Sequence, residues 1–566
     1  MKRLIECVPN FSEGRDAAVI GAITSEIAAV DGVSLLDVDP GATTNRTVVT
    51  FVGEPEAVVE AAFRAAKKAK ELIDMRGHKG DHPRFGAMDV CPLVPVSGIT
   101  MEETAEYARR LGTRIGTELG IPVYLYENAA REEKRRNLAS CRAGEYEALR
   151  ERLADPDWRP DAGPAEFNES VARSGAVAVG ARDFLLAVNF NLNTTSTRRA
   201  NAIAFDVREK GRPQREGGSI TGKPMIGKDG EPLMIPGTLK GTKAIGWYIE
   251  EYGIAQVSMN ITDLAATPLH IAFDEVTAKA AARGIRVTGL EIVGLVPKRT
   301  IIDAADHYLR KQRRSLGVTE AEKIKLAIRS MGLDDLKPWD PDEKIIEYVL
   351  ERTHEKKRLT DLTCRGFADE TASESPAPGG GSISAYLGAL GASLAAMVAN
   401  LSSHKAGWDD RWEEFSDHAV RAQRLKDELL LLVDEDTAAF DRVMEAFGLP
   451  KTSDEEREIR TAAIQDATRY AAEVPLRTME LSYQAFDVVR AMAVTGNPNS
   501  VSDAGVGALC ARSAVMGAFL NVKINAAGLR DRAFADEIVA RGAEIEQKAI
   551  EAEREILEIV NSKIAD

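Results

Sequence analysis

Ser375-Pro376-Ala377-Pro378-Gly379-Gly380-Gly381-Ser382-Ile383-Ser384-Ala385-Tyr386-Leu387-Gly388-Ala389-Leu390-Gly391 opens a stretch that carries no charged residue as far as Ser403. Its length would span a bilayer. Its content would not favour one: Ala, Gly and Ser dominate, and Gly388 and Gly391 thin the apolar face. Small residues at helical spacing let neighbouring helices approach closely, so the stretch reads as the buried central helix of a bundle. That reading sets the class of the whole C-terminal part. Beyond Trp339 the sequence follows helical periodicity over Glu343–Arg352, Ser382–Leu401, Arg411–Glu445, Asp454–Glu473, Pro475–Met492, Ser502–Lys523 and Asp531–Ile564, with no convincing strand. Pro475 separates two of these predicted helices, because proline disfavours a helix interior.

Upstream the pattern alternates. Leu4–Val8, Val33–Val38, Thr47–Val52, Gly86–Val96 and Pro122–Tyr126 read as strands, with helices over Arg15–Ala28, Pro55–Met75 and Met101–Glu118. A second cycle places strands at Leu185–Phe190, Gln256–Thr262 and Val287–Val296, and helices at Thr195–Lys210 and Pro268–Arg283. Glu209–Lys240, rich in Gly, Pro and Lys, reads as a long excursion. The expected architecture is multidomain: two α/β subdomains of sandwich-like α+β style, then an all-α helical bundle. The expected boundaries are 1–183, 184–350, a charged linker at 351–358 (Glu351 to Arg358), and 359–566. A cleft between the two α/β subdomains is the natural ligand site.

The 566 residues carry a formal net charge of −15, so a global basic footprint for nucleic acid is absent. Cys7, Cys91, Cys141, Cys364 and Cys510 are odd in number and lack metal-ligand spacing, which suits reduced thiols in the cytoplasm. The N-terminus runs into a strand without an apolar signal core.

Only 7 histidines occur, and His78 and His82 lie within His78-Lys79-Gly80-Asp81-His82-Pro83-Arg84. Gly80 and Pro83 make this a shaped loop, and histidine is the side chain that exchanges protons near neutral pH. Two histidines four apart can bind metal, but that arrangement belongs on an unbroken helix face, which this loop is not. Asn10 lies in Cys7-Val8-Pro9-Asn10-Phe11-Ser12-Glu13-Gly14, a strand-to-helix turn whose amides can receive an anion. Asp37 and Asp39 share one face of a strand that ends at Pro40-Gly41. Arg46 and Arg84 can clamp carboxylates, or can simply form surface ion pairs. In the helical part, Gly379, Gly380, Gly381 and Ser382 open one helix, and Gly496-Asn497-Pro498-Asn499-Ser500-Val501-Ser502-Asp503 opens another. Neither fits a Walker phosphate loop, since no Gly-Lys-Ser/Thr follows. Two glycine-bearing turns before small-residue helices suggest one packed site, with an oligomer interface as one place for it.

At these residues the chain resembles the formimidoyltransferase-cyclodeaminase family. Glu6 to Gly14, Thr44-Asn45-Arg46-Thr47-Val48, His82-Pro83-Arg84, Gly86 to Pro92, Pro122 to Tyr126 and Arg142-Ala143-Gly144-Glu145-Tyr146-Glu147 carry the likeness in the first part. Ala377 to Ser382, Gly496-Asn497, Ser502-Asp503 and Asn521-Val522-Lys523-Ile524-Asn525 carry it in the second. The resemblance implies a bifunctional folate enzyme of histidine degradation. It would transfer the formimino group from N-formimino-L-glutamate to tetrahydrofolate, a co-substrate, then close 5-formiminotetrahydrofolate to 5,10-methenyltetrahydrofolate with release of ammonia. The family's proton-handling histidine falls on His82, and its folate-contacting segment runs from Gly163-Pro164 to Gly175. Asp39 would steady the cationic formamidinium, and Arg46 and Arg84 the substrate carboxylates. The family's second catalytic position falls on Trp412, which exchanges no proton. Asp409, Asp410, Glu413 and Asp417 are the carboxylates nearest it in sequence, of which Asp410 and Glu413 are the expected pair, with Asp434 and Asp436 further along the same helix. Glycines 379–381, Ser382, Asn497 and Asp503 would bind folate. No metal, nucleic acid or membrane is expected as a partner. A homo-oligomer is expected, and Lys223, Lys228, Lys240 and Lys243 could attract a polyglutamate tail. The alternative is a transferase alone, its helical domain an oligomerising folate-binding module.

Overall fold

Apolar residues at every second position, broken by helical stretches, fold the first part into two sheets. The computed structural model describes residues 3–42, 44–80, 84–218, 222–228, 230–353 and 358–565. Its contacts divide the chain into two compact units, one of Met1–Ile301 with Met331–His354, the other of Ile302–Ser330 with Glu355–Asp566. Residues 354–357 of the expected linker lie outside the described residues.

In the first unit, β1 (Leu4–Cys7), β2 (Asn10–Phe11), α1 (Ala17–Ala28), β3 (Val33–Gly41), β4 (Arg46–Gly53), α2 (Pro55–Leu72) and β5 (Met88–Ser97) complete the first expected β-α-β-β-α-β cycle. Then α3 (Met101–Leu119), β6 (Val123–Glu127) and β7 (Val177–Ala181) extend it. Thr100 and Glu103 cap the start of α3 reciprocally, and Gly120 ends it at φ 62°. β4 joins β3 to β1 and β2; β5 pairs antiparallel with β1 and β2 and parallel with β7, which in turn pairs parallel with β6. β7 is absent from the sequence reading; its Val177-Ala178-Val179-Gly180-Ala181 is too short and too uniformly small to show alternation.

The second cycle repeats the first: β8 (Leu186–Leu192), α4 (Thr197–Val207), β11 (Thr242–Ile249), β12 (Ile254–Ile261), α5 (Leu269–Ala281) and β13 (Val287–Val293). Its strand order β11-β12-β8-β13 matches β3-β4-β1-β5 of the first. The excursion holds a small ladder between β9 (Arg212–Pro213) and β10 (Met234–Ile235), with residues 219–221 and 229 outside the described set. β11 corrects the sequence reading, which has no strand here. Its residues alternate buried and exposed from Thr242 to Trp247, but the buried face holds Thr242, Ala244 and Gly246 while Ile245, Trp247 and Tyr248 are exposed, so the sequence lacks the apolar-in, polar-out alternation that marks a strand.

The second unit contains helix Glu320–Met331 over most of its length and five long helices: α6 (Gly380–Ser403), α7 (Trp412–Gly448), α8 (Asp454–Thr495), α9 (Val501–Ala527) and α10 (Arg532–Ala565). α6 and Pro498–Ala527 are long and apolar enough to cross a membrane. In the bundle, α6 packs at its centre on α7 and α9. Gly391 lets α6 approach α9 closely, since a Cβ there would stand 2.9 Å from the Gly507 carbonyl oxygen. Pro475 lies inside α8 rather than between two helices. It supplies no N–H to the Ala471 carbonyl, and Asn525 Nδ2 of α9 donates to that oxygen at 2.7 Å. This supplied bond lets the helix run through.

Candidate active sites

The helix-covered face of the first sheet is apolar, and its opposite face carries the polar candidates. Register places Asp39, Val48 and Asn10 in one row across β3, β4 and β2, so Arg46, two residues from Val48, shares their side. Arg46 Nε donates to Asn10 Oδ1 at 2.9 Å. Its Nη1 pairs with Asp89, whose Oδ2 also receives Arg142 Nη1 at 2.7 Å. Asp89 is 0% exposed and its Oδ1 has no protein partner. Two guanidiniums on one buried carboxylate leave a net positive charge beside Asn10, fit for an anion. Asp89 and Arg142 appear in the sequence only within longer motifs; no spacing rule joins a strand aspartate to an arginine 53 residues on.

The loop that carries the histidines is anchored on the turn before β4. His78 Nε2 donates to the Asn45 carbonyl at 2.9 Å, and Asn45 Nδ2 donates to the Lys79 carbonyl at 3.0 Å. Burial holds His78 below the usual imidazole range, so the ring is neutral, with Nδ1 unpartnered. Asn45 sits at φ 50° and its Oδ1 receives the Gly14 amide at 3.0 Å, tying this turn to the one after β2. Asp81, His82 and Pro83 lie outside the described residues, and with them the expected catalytic histidine. Arg84, just after them, pairs with Glu147 at 2.6 Å and lies over the Tyr146 ring.

Gly86 bridges Gly175, and Ala162, next to Gly163, bridges Val123. The expected folate segment therefore borders the starts of β5, β6 and β7, beside Arg84. Across the unit, Asp37, Asp39, Asn191, Glu291, Trp339 and Lys344 are among the residues lining a cavity of about 330 Å³ between the two sheets. Burial, then the neighbouring Asp39, raises the Asp37 carboxyl above its usual range. The second sheet meets this cavity with a bonded polar layer: Asn191 accepts from Gln256 at 2.8 Å, and Asn189 donates to Glu291 at 2.9 Å.

In the helical unit the expected single site separates into two ends. Asn497 N donates to Ser402 Oγ at the C-terminal end of α6. Asp503 lies in the first turn of α9, while Asp410 and Glu413 are exposed around the start of α7. Gly379 to Ser382 start α6, about 35 Å from its other end at the helical rise. Within one chain these groups do not meet, because a 24-residue helix lies between them. Against the start of α6 stands Asp436 instead, its Oδ2 receiving Ser382 Oγ at 3.0 Å. Among the described residues no group of three or more His, Cys, Asp or Glu is placed to hold a metal.

Three stretches of the chain match known protein families. Residues 4–182 match the formiminotransferase domain, N-terminal subdomain; 187–351 match the formiminotransferase domain; 363–544 match formiminotransferase-cyclodeaminase. The formimidoyltransferase-cyclodeaminase of Gallus gallus is 44% identical over 95% of both chains. A glutamate formimidoyltransferase of Thermoplasma acidophilum is 42% identical, over 54% of this chain and 92% of its own. A methenyltetrahydrofolate cyclohydrolase of Methylorubrum extorquens is 40% identical, over 36% of this chain and 97% of its own. Matched in both parts, and nearly end to end by a single relative, the chain belongs to the formimidoyltransferase-cyclodeaminase family.

Proposed function

We propose that this protein transfers the formimino group of N-formimino-L-glutamate to N5 of tetrahydrofolate in its first unit, and in its helical unit closes the product to 5,10-methenyltetrahydrofolate, releasing ammonia. The observation that carries this reading is the end-to-end match to a bifunctional relative, with a separate set of polar groups in each compact unit.

In the transfer, N5 attacks the formimino carbon to give a tetrahedral aminal. The glutamate nitrogen leaves only when protonated, so one group must accept the N5 proton and return one to that nitrogen. His82 is assigned this role, which is worth typically about 10²–10⁴ in rate. Arg46 and Arg142, held by Asp89, supply the positive charge for a glutamate carboxylate. Asp39, exposed at the cavity wall, would steady the formamidinium cation. Tetrahydrofolate supplies its own nucleophile, so neither step requires a metal. Scattered thiols suit a cytoplasmic protein. The exposed Leu520 and Ile524 on α9, 63% and 71% accessible, support self-association of the helical unit.

The test is direct: the purified protein receives N-formimino-L-glutamate and tetrahydrofolate, and methenyltetrahydrofolate, glutamate and ammonia are measured together. All three should form in equal amounts. Glutamate without ammonia would leave a transferase whose helical unit only binds.

A further inference from the structure

The chain is fastened on both sides of the segment that carries His82. Upstream, Asn45 stands in the turn before β4 at φ 50°, a left-handed backbone that asparagine tolerates. Its Oδ1 accepts the Gly14 amide at 3.0 Å, and its Nδ2 donates to the Lys79 carbonyl at 3.0 Å. Its own carbonyl accepts His78 Nε2 at 2.9 Å. Gly80 lies against the same turn: a Cβ there would stand 2.1 Å from the Thr44 carbonyl oxygen and 2.9 Å from Asn45 Cβ. Downstream, the Arg84 carbonyl accepts the Tyr146 amide at 2.9 Å, while its guanidinium pairs with Glu147 and lies over the Tyr146 ring. Asp81 to Pro83 join these two anchors, and His82 is two residues from Gly80 and two from Arg84.

The upstream anchor is built from buried polar groups. His78 is 9% exposed and Asn45 8%, so a lost bond leaves its donor or acceptor out of reach of water. A carbonyl only accepts, so the His78 ring carries a proton on Nε2. Burial, helped by Arg84, holds the imidazole below its usual range against the pull of the Asn45 bond, so the ring is neutral. A neutral ring whose single N–H is committed to the turn has no charge and no donor left for a substrate carboxylate.

We propose that His78 and Asn45 are positioning residues for formimino transfer: the two ties between the loop and this turn set where the His82 imidazole is delivered. The assignment rests on the transferase reading above, with His82 as its proton carrier. An acid–base group works only within hydrogen-bond reach of the atoms it serves, and a displacement of about 1 Å costs about 10² in rate. One tie would let the loop pivot. Two ties to the same residue, with Gly80 seated against the turn, remove that freedom.

The experiment uses the full-length protein, assayed for transfer with N-formimino-L-glutamate and tetrahydrofolate, and for folding by its melting transition. His78→Phe keeps a buried ring but has no N–H for the Asn45 carbonyl. Its kcat for transfer should fall about 10²-fold with KM for N-formimino-L-glutamate little changed, the signature of a displaced proton carrier. His78→Gln offers an amide N–H of similar reach and should recover most of that loss. Gly80→Ala leaves every bonded group in place but sets a methyl against the Thr44 carbonyl, and should lower kcat in the same way.

A kcat for His78→Phe within about threefold of wild type would overturn the proposal, being far short of the expected loss. So would a raised KM at unchanged kcat, which would assign the ties to the neighbouring Arg46 and to substrate binding. Equal losses in His78→Gln and His78→Phe would make the ring's shape the cause rather than its bond, and would overturn it too. If His78→Phe fails to fold, Gly80→Ala decides, and an unchanged kcat contradicts the proposal. His82→Asn is the control on the underlying reading. Transfer by His82→Asn at the wild-type rate would overturn that reading and the positioning role with it. An inactive His82→Asn beside a fully active His78→Phe overturns the positioning role alone.

Discussion

Asp89 shows how a single buried residue can position two others. Fully buried, it neutralises one of two guanidiniums and fixes both Arg46 and Arg142 against the face that carries Asn10. Asp89→Ala would leave two largely buried cations facing each other, and stability should fall by about 3–5 kcal/mol, the usual cost of stranding a buried charge. Denaturant unfolding of the first unit's fluorescence or circular dichroism measures it. Glu6 behaves in the opposite sense. Burial pushes its carboxyl up to about 7 from 4.5, with Arg182 only partly opposing the shift. The folded state therefore binds a proton that the unfolded chain releases between those values. The stability held by protonated Glu6 is complete below pH 4.5, declines as pH rises, and is lost by about pH 7. Glu6→Gln should flatten that decline, a difference of roughly 3 kcal/mol across the window, read from unfolding midpoints at a series of pH values.

At the scale of elements, the instructive case is α8. A proline in a helix interior costs about 3 kcal/mol or more and normally ends the helix, which is why the sequence reads as two helices there. The structure removes part of the cost by bonding the Ala471 carbonyl to Asn525, 54 positions away in the chain. Asn525→Leu should strand that carbonyl and lower stability by about 1–3 kcal/mol; a shallower fall from Asn525→Gln would confirm that the amide, rather than the volume, matters. Thermal melting checks both. The same distinction explains what sequence reveals elsewhere. Helices and strands with a buried face are legible, because period 3.6 or 2 is written locally: Pro55–Leu72 and Met101–Leu119 differ from their expected bounds only at the ends. The edge strand Thr242–Ile249 buries its small residues and exposes Ile245 and Trp247, and the short β7 is buried throughout, so neither shows an apolar period in its sequence. Gly80 and Pro83 announce a loop, and Arg46 is visible as a candidate clamp. The Asp89 that holds it is not, since a strand aspartate acquires its meaning from partners set by the sheet. Likewise the glycines before α6 and α9 look alike in sequence, and only the length of α6 shows that they stand at opposite ends of the bundle.

The molecule as a whole joins a duplicated β-α-β-β-α-β design to a bundle of long helices, and each compact unit holds its own polar cluster. Formimino transfer and ring closure are chemically separate steps, the first proposed for the first unit and the second for the helical unit. The two activities should therefore be separable by single substitutions that leave the protein folded. The most direct measurement is the pair of activities of full-length His82→Asn, with folding verified by its melting transition. Formimino transfer from N-formimino-L-glutamate should be abolished, while ring closure of supplied 5-formiminotetrahydrofolate continues at the wild-type rate. Loss of both activities in a folded protein would contradict the assignment of two separate sites.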